Sequence, residues 1–331
     1  MNQDEAYGIA IKEPPKPRQL EKPFVSVVVP AYNEAEVIAV TCSRLQKVMN
    51  NLDVPYELIF VNDGSRDETI LRLSELSARH PEVKVLDFSR NFGHQVAVTA
   101  GIDYAAGDVV VLIDADLQDP PELIADFLDK WREGYDVVYA VRSERKGESW
   151  FKKATAKWFY RLLNRMTDVD IPVDTGDFRL MSRPVVDSLK QIPERHRFIR
   201  GLVAWVGFHQ IGIPYVRANR YAGTSKYPLK KMIKFSLDGI TSFSFKPLQF
   251  ATKLGFVVAL VGFLLAIVIV CEKLFTRFTV QGWTSIMVVV LFLGGIQLIM
   301  LGVLGEYVGR IYDEVRGRPL YIVRKTINLD K

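Results

Sequence analysis

Two carboxylates and an amide follow directly after a strongly apolar run near the middle of the chain. Residues 109–113 are five consecutive apolar residues, mostly β-branched. The next alternate positions are Asp114, Asp116 and Gln118. Such a run is typical of a strand buried on both faces of a parallel sheet. Alternate residues of an extended backbone point to the same side, so these three side chains could share one hard cation such as Mg²⁺. The alternative is a polar turn between strand and helix, with Asp119 near the helix start.

Further polar side chains follow two other predicted strands. Pro30, Tyr32 and Glu34 come after the first apolar run of the chain. Asp63 follows the second run, inside the turn-forming sequence Asn-Asp-Gly-Ser. Ligands of open α/β sheets bind outside the carboxyl ends of the strands, so we expect these side chains to converge with those of the acidic strand. Two local alternatives stay open: Asp63 could cap a helix, and Glu34 could favour a first helical turn through the helix dipole.

The elements that must position these residues alternate regularly between strand and helix. The predicted strands lie at 24–29, 56–61, 83–87, 109–113 and 135–141. The predicted helices lie at about 34–50, 67–80, 95–106 and 121–133. This order predicts an α/β domain with a mostly parallel, Rossmann-like sheet. Arg142 ends the fifth strand, and a polar turn beginning at Val173 leads into a further short strand. Neither a G-x-G-x-x-G sequence after the first strand nor a G-x-x-x-x-G-K-[ST] sequence occurs, which argues against a dinucleotide enzyme and a P-loop ATPase.

The composition of the chain limits the partners, the metal ligands and the redox compartment that we expect. The chain has 331 residues and a net charge of +5, an excess too small to indicate nucleic acid as a partner. The four histidines have no paired spacing, so a zinc enzyme is not expected and any metal should bind through oxygen. Cys42 and Cys271 are far apart, which suits a reducing compartment without disulfides. The first 23 residues are polar and contain four prolines, so we expect a flexible leader without a signal peptide.

Two long uncharged runs near the end of the chain indicate a membrane. Residues 254–271 and 278–305 carry no charged side chain, and about 20 helical residues suffice to cross a bilayer. Two buried core helices are the alternative, although helices of soluble proteins rarely lack charge for so long. Many basic residues flank the pair of runs, whereas only Lys273 and Arg277 lie between them. The positive-inside rule therefore places the soluble domain and both termini on the cytoplasmic side.

The predicted organisation of the chain is thus a soluble domain followed by membrane elements. The stretch before the first uncharged run is basic and amphipathic, as in helices that lie on a membrane surface. The predicted parts are a leader at 1–23, the α/β domain at 24–227, amphipathic interfacial helices at 228–250, two transmembrane helices within 251–305 (about 252–272 and 281–304) and a cytoplasmic tail at 306–331.

Several motifs together resemble a known family. The stretches 27–34 (VVVPAYNE), 61–65 (VNDGS) and 114–118 (DADLQ) resemble glycosyltransferase family 2, whose members have the GT-A fold. The later stretches 174–179, 197–201 and 220–227 are similar to those of the polyprenyl-phosphate glycosyltransferases. These include dolichol-phosphate mannose synthase and, with two C-terminal spans, the bacterial bactoprenol glucosyltransferases. The resemblance covers about residues 24–325.

The resemblance implies a role for each matching residue. Pro30, Tyr32, Glu34, Asp63 and Asp114 would hold the nucleotide sugar, with Asp114 at the ribose or the sugar. Asp116 and Gln118, with Asp114 nearby, would bind Mg²⁺ or Mn²⁺, and Arg142 would lie by the diphosphate. Asp177, or Asp174, occupies the place of a catalytic base in many relatives, although a structural role is an equal alternative. Candidates for the lipid phosphate or donor phosphates are Lys153, Arg220, Ser225 and Lys226; as single residues they could equally be surface charges or bind anionic lipid head groups.

The resemblance also implies the reaction. Family members of this kind invert the anomeric centre and move one sugar, here glucose from UDP-glucose, to polyprenyl (undecaprenyl) phosphate at the cytoplasmic membrane face. Gly201-Leu202 replaces the QxxRW motif of processive synthases, and two spans are too few for their channel. Alternatives are another donor, GDP-mannose or a modified UDP-pentose, and a noncatalytic membrane scaffold. A homo-oligomer is expected from the family, and no nucleic acid partner.

Overall fold

The computed structural model describes residues 15–20, 22–142, 175–216, 244, 246–275 and 282–329 of the chain. Strands and helices alternate through most of these residues. The strands are β1 (Val25–Ala31), β2 (Tyr56–Asn62), β3 (Val83–Phe88), β4 (Val109–Leu112), β5 (Val137–Arg142), β6 (Thr175–Ser182), β7 (Gln210–Tyr215) and β8 (Val323–Ile327). The helices are α1 (Ile38–Asn51), α2 (Thr69–Arg79), α3 (His94–Tyr104), α4 (Leu123–Arg132), α5 (Arg183–Lys190), α6 (Ile199–Trp205), α7 (Lys246–Phe275) and α8 (Trp283–Val315).

The strands of the described residues form one sheet in the order β7-β5-β6-β4-β1-β2-β3-β8. The neighbours β4-β1-β2-β3 run parallel to one another, as do β5 and β7. β6 runs antiparallel to both β4 and β5, and β8 runs antiparallel to β3. The predicted α/β fold with a mostly parallel sheet is therefore confirmed. Central β1 is buried along its whole length, which its valine-rich sequence favours because no face of it meets water.

Helices cover both faces of this sheet and create two apolar cores. Side chains of α1, α2 and α4 pack with Val27 and Phe60 on one face. Side chains of α3, α5 and α6 pack with Val28 and Ile59 on the other. Because neighbouring residues of a strand point to opposite faces, each parallel strand contributes alternately to both cores. The sheet is thus held rigidly at its centre, and its carboxyl edge is left for polar residues.

β6 differs from the short strand expected after the polar turn. It contains eight residues, all buried, and it lies between β4 and β5. Asp177 therefore belongs to a strand and not to a turn. The pairing depends on contacts between distant parts of the chain, which local residue patterns do not reveal.

The residues after α8 also differ from a simple tail. The sequence predicts a cytoplasmic tail over 306–331, whereas α8 continues through Val315 and β8 then adds an edge strand to the sheet. Near the other end of the chain, the last part of the predicted leader lies against the domain. Arg18 donates its backbone N–H to Arg132 O (2.8 Å), and its guanidinium stacks on Trp131 and pairs with Asp136.

α7 and α8 contain the candidate membrane spans found among the described residues. The apolar stretches are Lys246–Leu265, of 20 residues, and Phe292–Val315, of 24 residues, and neither is buried inside the protein. Phe256 and Leu298 are each 71% exposed, so the alternative of two buried core helices is wrong. Of the predicted interfacial segment 228–250, only Ser244 and residues 246–250 are described, and the latter form the first turn and a half of α7.

Candidate active site

The registers of the central strands bring the predicted site residues to one edge of the sheet. Val28 of β1 pairs with Leu112 of β4, so Pro30 and Asp114 lie at the same level two residues further on. Leu112 also pairs with Arg179 of antiparallel β6. Continuing that register sets Asp177 opposite Asp114. The edge thus combines the residues that follow β1 and β4 with the first residues of β6.

The acidic strand end has the alternation that its sequence predicts. Asp114, Asp116 and Gln118 are half-buried, whereas the residues between them, Ala115 and Leu117, are buried. The backbone is not extended throughout, because Leu117 has a φ of +57° and Gln118 N donates to Asp116 Oδ1 (3.2 Å). The three oxygen-bearing side chains are nevertheless all partly accessible.

The donor set at this strand end suits a divalent cation that is completed by substrate. Burial raises the pKa of the Asp114 carboxyl to about 6, against the opposing effect of His94, and Asp177, Asp119 and Asp116 raise it further. A divalent cation would relieve this crowding of carboxylates. Among the described residues, no group of three or more His, Cys, Asp or Glu side chains could hold a metal alone. Mg²⁺ commonly takes one or two carboxylates and fills its other positions with phosphates and water, so the residues fit.

Asp177 is the centre of a buried polar cluster. Its side chain is 8% exposed and accepts hydrogen bonds from His94 Nε2 (3.0 Å) and Arg200 Nε (2.7 Å). Gln95 Nε2 lies 3.5 Å from the same carboxylate. Burial alone raises the pKa of the Asp177 carboxyl, but Arg200 and His94 together hold it well below its usual value. Asp177 is therefore an ionised partner of two cationic side chains and a weak base.

His94 links this cluster to the acidic strand end. The ring Nε2 lies 3.8 Å from Asp114 Oδ1 as well as 3.0 Å from Asp177 Oδ2. Burial lowers the pKa of His94, but the hydrogen bond with Asp177 and the charge of Asp114 together raise it to about 9. The imidazolium therefore lies between both carboxylates, and Asp177 is additionally paired with Arg200. His94 is the first residue of α3, so the start of that helix faces the site.

Arg142 ends β5 at the same edge and lies beside a second buried group. Tyr215 donates its hydroxyl to Asp119 and also has a hydrogen bond with Arg142. Burial, followed by Asp119, raises the pKa of the Tyr215 hydroxyl to about 12, so it stays protonated. A Cβ on Gly176 would lie 3.3 Å from Arg142 Nη2, so this glycine makes room for the guanidinium. The Nε atom of Arg142 is buried without a hydrogen-bond partner among the described residues.

Asp63 holds a loop instead of capping a helix. Its carboxylate accepts from Phe92 N (2.7 Å), Gly93 N (3.0 Å) and Asn91 Nδ2 (2.9 Å), all in the connection between β3 and α3. Burial, which outweighs these bonds, raises the pKa of Asp63. The cap alternative for Asp63 is wrong, because α2 begins only at Thr69. Asp119 lies three residues before Glu122, the N-cap residue of α4, so it is near the helix start as the alternative expects, although α4 has no side-chain cap.

Tyr32 and Glu34 lie in a loop that is tied to the loop after β2. Asn33, with a φ of +54°, donates its N–H to Ser65 Oγ (2.9 Å), and Glu34 N donates to Thr69 Oγ1 (2.9 Å). Both Tyr32 and Glu34 are half-buried. Glu34 lies just before α1, which begins at Ile38, and its carbonyl oxygen accepts from Ile38 N (3.0 Å), so its role at the helix start stays a prediction.

Not all predicted residues are placed, and some placed residues were not predicted. The candidates outside the described residues are Lys153, Asp174, Arg220, Ser225 and Lys226. Sequence reasoning missed the roles of His94, Gln95, Arg200 and Tyr215. Arg200 was part of a recognised motif and could have been found there. His94 follows Gly93 at the start of a predicted helix, which is the only local sign of its position.

Comparison with known proteins identifies the family. The model of glycosyl transferase family 2 matches residues 26–190, and the model of the GtrB C-terminal hairpin matches residues 246–311. The chain is 58% identical over 305 residues to the uncharacterized glycosyltransferase YkcC of Bacillus subtilis (strain 168), covering 92% of this chain and 94% of that protein. It is 45% identical over 302 residues to the SfII prophage-derived bactoprenol glucosyl transferase of Shigella flexneri, covering 91% and 98%.

A solved structure with a similar fold is mannosyl-3-phosphoglycerate synthase from Rubrobacter xylanophilus, at 18% identity over 80% of each chain and a TM-score of 0.47. The relatives, by contrast, cover nearly the whole chain at high identity. This chain therefore belongs to glycosyl transferase family 2, and its α/β domain has the GT-A-like fold that the resemblance implies.

Proposed function

We propose that this glycosyltransferase moves a single glucose from UDP-glucose to polyprenyl phosphate at the cytoplasmic face of a membrane, with inversion at the anomeric carbon. The observation that carries the proposal is an acid-lined sheet edge in a domain joined to two long apolar helices. Similarity to the Shigella flexneri bactoprenol glucosyl transferase supports the same acceptor and sugar.

The donor would lie along the edge formed by the loops after β1, β2 and β4. Tyr32 and Glu34 would contact the nucleotide, with Asp63 keeping the adjoining loop in place. Asp114 would accept hydrogen bonds from ribose or sugar hydroxyls. Asp116 and Gln118 would hold Mg²⁺ or Mn²⁺, which neutralises the charge that develops on the leaving diphosphate. Arg142, half-buried at the end of β5, would donate to the same phosphates from its guanidinium.

The acceptor would need little help to become a nucleophile. A phosphate monoester oxygen is already ionised at neutral pH, so no strong base has to remove a proton. Asp177 then acts by holding His94 and Arg200 in place, because their cationic groups already occupy its carboxylate. The contribution of the chain is to orient the phosphate in line with the anomeric carbon.

The pairing of β8 with β3 supports the proposed membrane topology. The chain leaves the α/β domain before α7 and rejoins its sheet after α8. A strand cannot pair with a sheet on the other side of a bilayer, so the number of crossings between them must be even. Crossing by both α7 and α8 satisfies this condition.

A homo-oligomer is the remaining part of the proposal. Gly294, Gly295, Gly302 and Gly305 lie on α8, and no described atom stands within 4 Å of the position that a Cβ would take. Small residues let the backbones of membrane helices approach closely, so a second copy could pack here.

Transfer of radiolabelled glucose to undecaprenyl phosphate in nanodiscs tests the reaction. We expect Asp116→Asn to lower kcat by about 100-fold or more, because metal and diphosphate lose a ligand in the transition state. The matched control is Asp126→Asn, which removes an exposed carboxylate of α4 and should leave the rate unchanged. EDTA should abolish transfer and Mg²⁺ or Mn²⁺ restore it. Full activity of the Asp116 variant would contradict the assigned metal role.

A donor panel separates the alternatives. The true nucleotide sugar should raise the thermal-unfolding midpoint in the presence of Mg²⁺, because it binds only the folded state. Strong stabilisation by GDP-mannose or a UDP-pentose instead of UDP-glucose would mean that the proposed type of reaction stands but the donor is a different one. Absence of any glycolipid product with every common nucleotide sugar would favour the noncatalytic scaffold.

A further inference from the structure

The residues after α8, here called the C-terminal arm (316–329), hold the end of β3. The β3–β8 register shifts between Asp87 and Phe88, at the last residue of β3. Just beyond it, Ser89 N donates to Ile322 O (3.0 Å), and Arg324 Nη2 donates to Ser89 O (2.7 Å). Both backbone polar groups of Ser89 are therefore bonded to the arm.

An aromatic contact fastens the arm to the same region. Tyr321 stacks on Phe88 with ring centroids 5.2 Å apart, and Phe88 meets the ring of Phe92 edge-on at 5.6 Å. The Tyr321 hydroxyl also donates to Asp103 Oδ2 (2.9 Å), near the end of α3. The arm thus contacts the elements on both sides of the connection between β3 and α3.

That connection carries groups of the candidate active site. Phe92 N and Gly93 N donate to the Asp63 carboxylate, and the next residue, His94, bonds Asp177. Asp87 provides a second connection between the arm and the site. Its carboxylate lies 3.7 Å from Arg324 Nη1 and accepts a hydrogen bond from Asn62 Nδ2 (2.7 Å). Asn62 immediately precedes Asp63 in the chain.

We propose that Tyr321 and Arg324 are positioning residues that hold the Ser89–Gly93 loop in the conformation that orients Asp63 and His94. Their contacts within the described part of the chain are with the loop and its flanks, so they act through the loop and not on a substrate. The arm continues directly from α8, so the order of the loop depends on the chain returning from the apolar helices to the sheet. That the loop serves a nucleotide sugar rests on the proposed function; the coupling between arm and loop does not.

The test compares variants of the full-length protein in nanodiscs. Tyr321→Ala and Arg324→Ala remove the two contacts, and Lys325→Ala is the matched control on the same strand. Lys325 is exposed and its side chain has no hydrogen bond or ion pair with the described part of the chain. Tyr321→Phe keeps the stacked ring and loses only the hydroxyl, and Arg324→Lys keeps the positive charge but replaces the forked guanidinium with a single ammonium group.

The first readout is amide hydrogen exchange of the Ser89–Gly93 segment without any ligand. We expect both alanine variants to exchange this segment about fivefold faster, because each loses a stabilising contact. The control should match the wild type, and the two conservative variants should lie between. Exchange in the β1 segment should not change, which separates a local effect from general loss of stability.

The second readout is the affinity for UDP with Mg²⁺. The alanine variants should bind UDP about fivefold more weakly while kcat at saturating donor stays within about twofold of the wild type. Unchanged loop exchange in both alanine variants would overturn the proposal. Equal acceleration of hydrogen exchange in β1 and in the loop, in all four variants of Tyr321 and Arg324, would also overturn it. If the alanine variants exchange the loop faster but the wild type binds no UDP, the coupling between arm and loop is supported and the proposed donor is refuted.

Discussion

At the scale of single residues, the acidic and basic side chains of the site neutralise one another. Asp177 is ionised because two cationic side chains bind it, and His94 is charged because two carboxylates face it. Each group therefore affects the ionisation of its neighbours, and removing one weakens the compensation of a neighbouring charge. Because its carboxylate is ionised and bonded to two cationic side chains, Asp177 is better suited to position them than to act as a general base.

A double-mutant cycle on Asp177 and Arg200 tests that distinction. We expect Asp177→Ala and Arg200→Ala each to lower kcat/KM by about 10-fold to 100-fold, since each misplaces the same cluster. The double variant should lose little more than the weaker single variant, because both changes break one interaction. Additive losses, or loss of the acidic limb of the pH–rate profile in Asp177→Ala alone, would favour the base.

At the scale of elements, α3 brings its first residue to the site by lying close to β1. A Cβ on Gly101 would overlap with Val28 Cγ1, so this glycine permits the close packing of helix and sheet. The small residues of the helix were visible in the sequence. Their partner on β1 was not, because contacts between a helix and a strand distant in sequence leave no local pattern.

Substitution of Gly101 tests this close approach. Alanine favours a helix by about 1 kcal/mol over glycine, yet we expect Gly101→Ala to destabilise the domain by about 1–3 kcal/mol through overpacking. Combining it with Val28→Ala should recover part of the loss, because the clashing methyl group is removed. The thermal-unfolding midpoint in detergent measures both effects. Gly309→Ala in α8 is the control, since no described atom lies near its Cβ position; a Gly101 variant as stable as this control would contradict the packing argument.

At the scale of the whole molecule, the sheet and the apolar helices form one continuous unit. β8 returns to β3, and the end of α8 is also tied to the domain by Arg195 N, which donates to Glu314 Oε1 (2.8 Å). His196 Nε2 lies 3.4 Å from Asp313 Oδ2 beside it. Arg200 follows shortly after these residues, so the helix end and the Asp177 cluster are joined through a short stretch of chain.

Cysteine labelling with a membrane-impermeant maleimide tests the topology. In a chain lacking its native cysteines, we expect Thr279→Cys, between the two apolar helices, to react in intact cells. Lys325→Cys, at an exposed position of β8, should react only after the membrane is permeabilised, because β8 shares the sheet of the α/β domain, which the proposed topology places on the cytoplasmic side. Labelling of both positions from the same side would contradict the two-span arrangement.

The sequence alone determined the parts of this protein that depend on local patterns. Apolar runs and their spacing located β1 to β5 and α1 to α4 closely, and the sequence after β4 predicted the alternating burial in which Asp114, Asp116 and Gln118 are partly accessible. Motifs at strand ends indicated the family, and uncharged runs indicated the apolar helices. These signals arise from residue type and from periods of two or 3.6 residues, so they need no knowledge of distant contacts.

Only the tertiary structure decided how distant segments meet. The register of β6 against β4 sets Asp177 opposite Asp114, and α3 inserts His94 between them. The return of β8 to β3 joins the chain after the apolar helices to the loop that Asp63 holds. Pairing and packing of this kind follow from the combined burial of many side chains, and a one-residue change of register would move each of them to the other face. For that reason the acidic strand end could be recognised from its sequence, while the cluster that completes it could not.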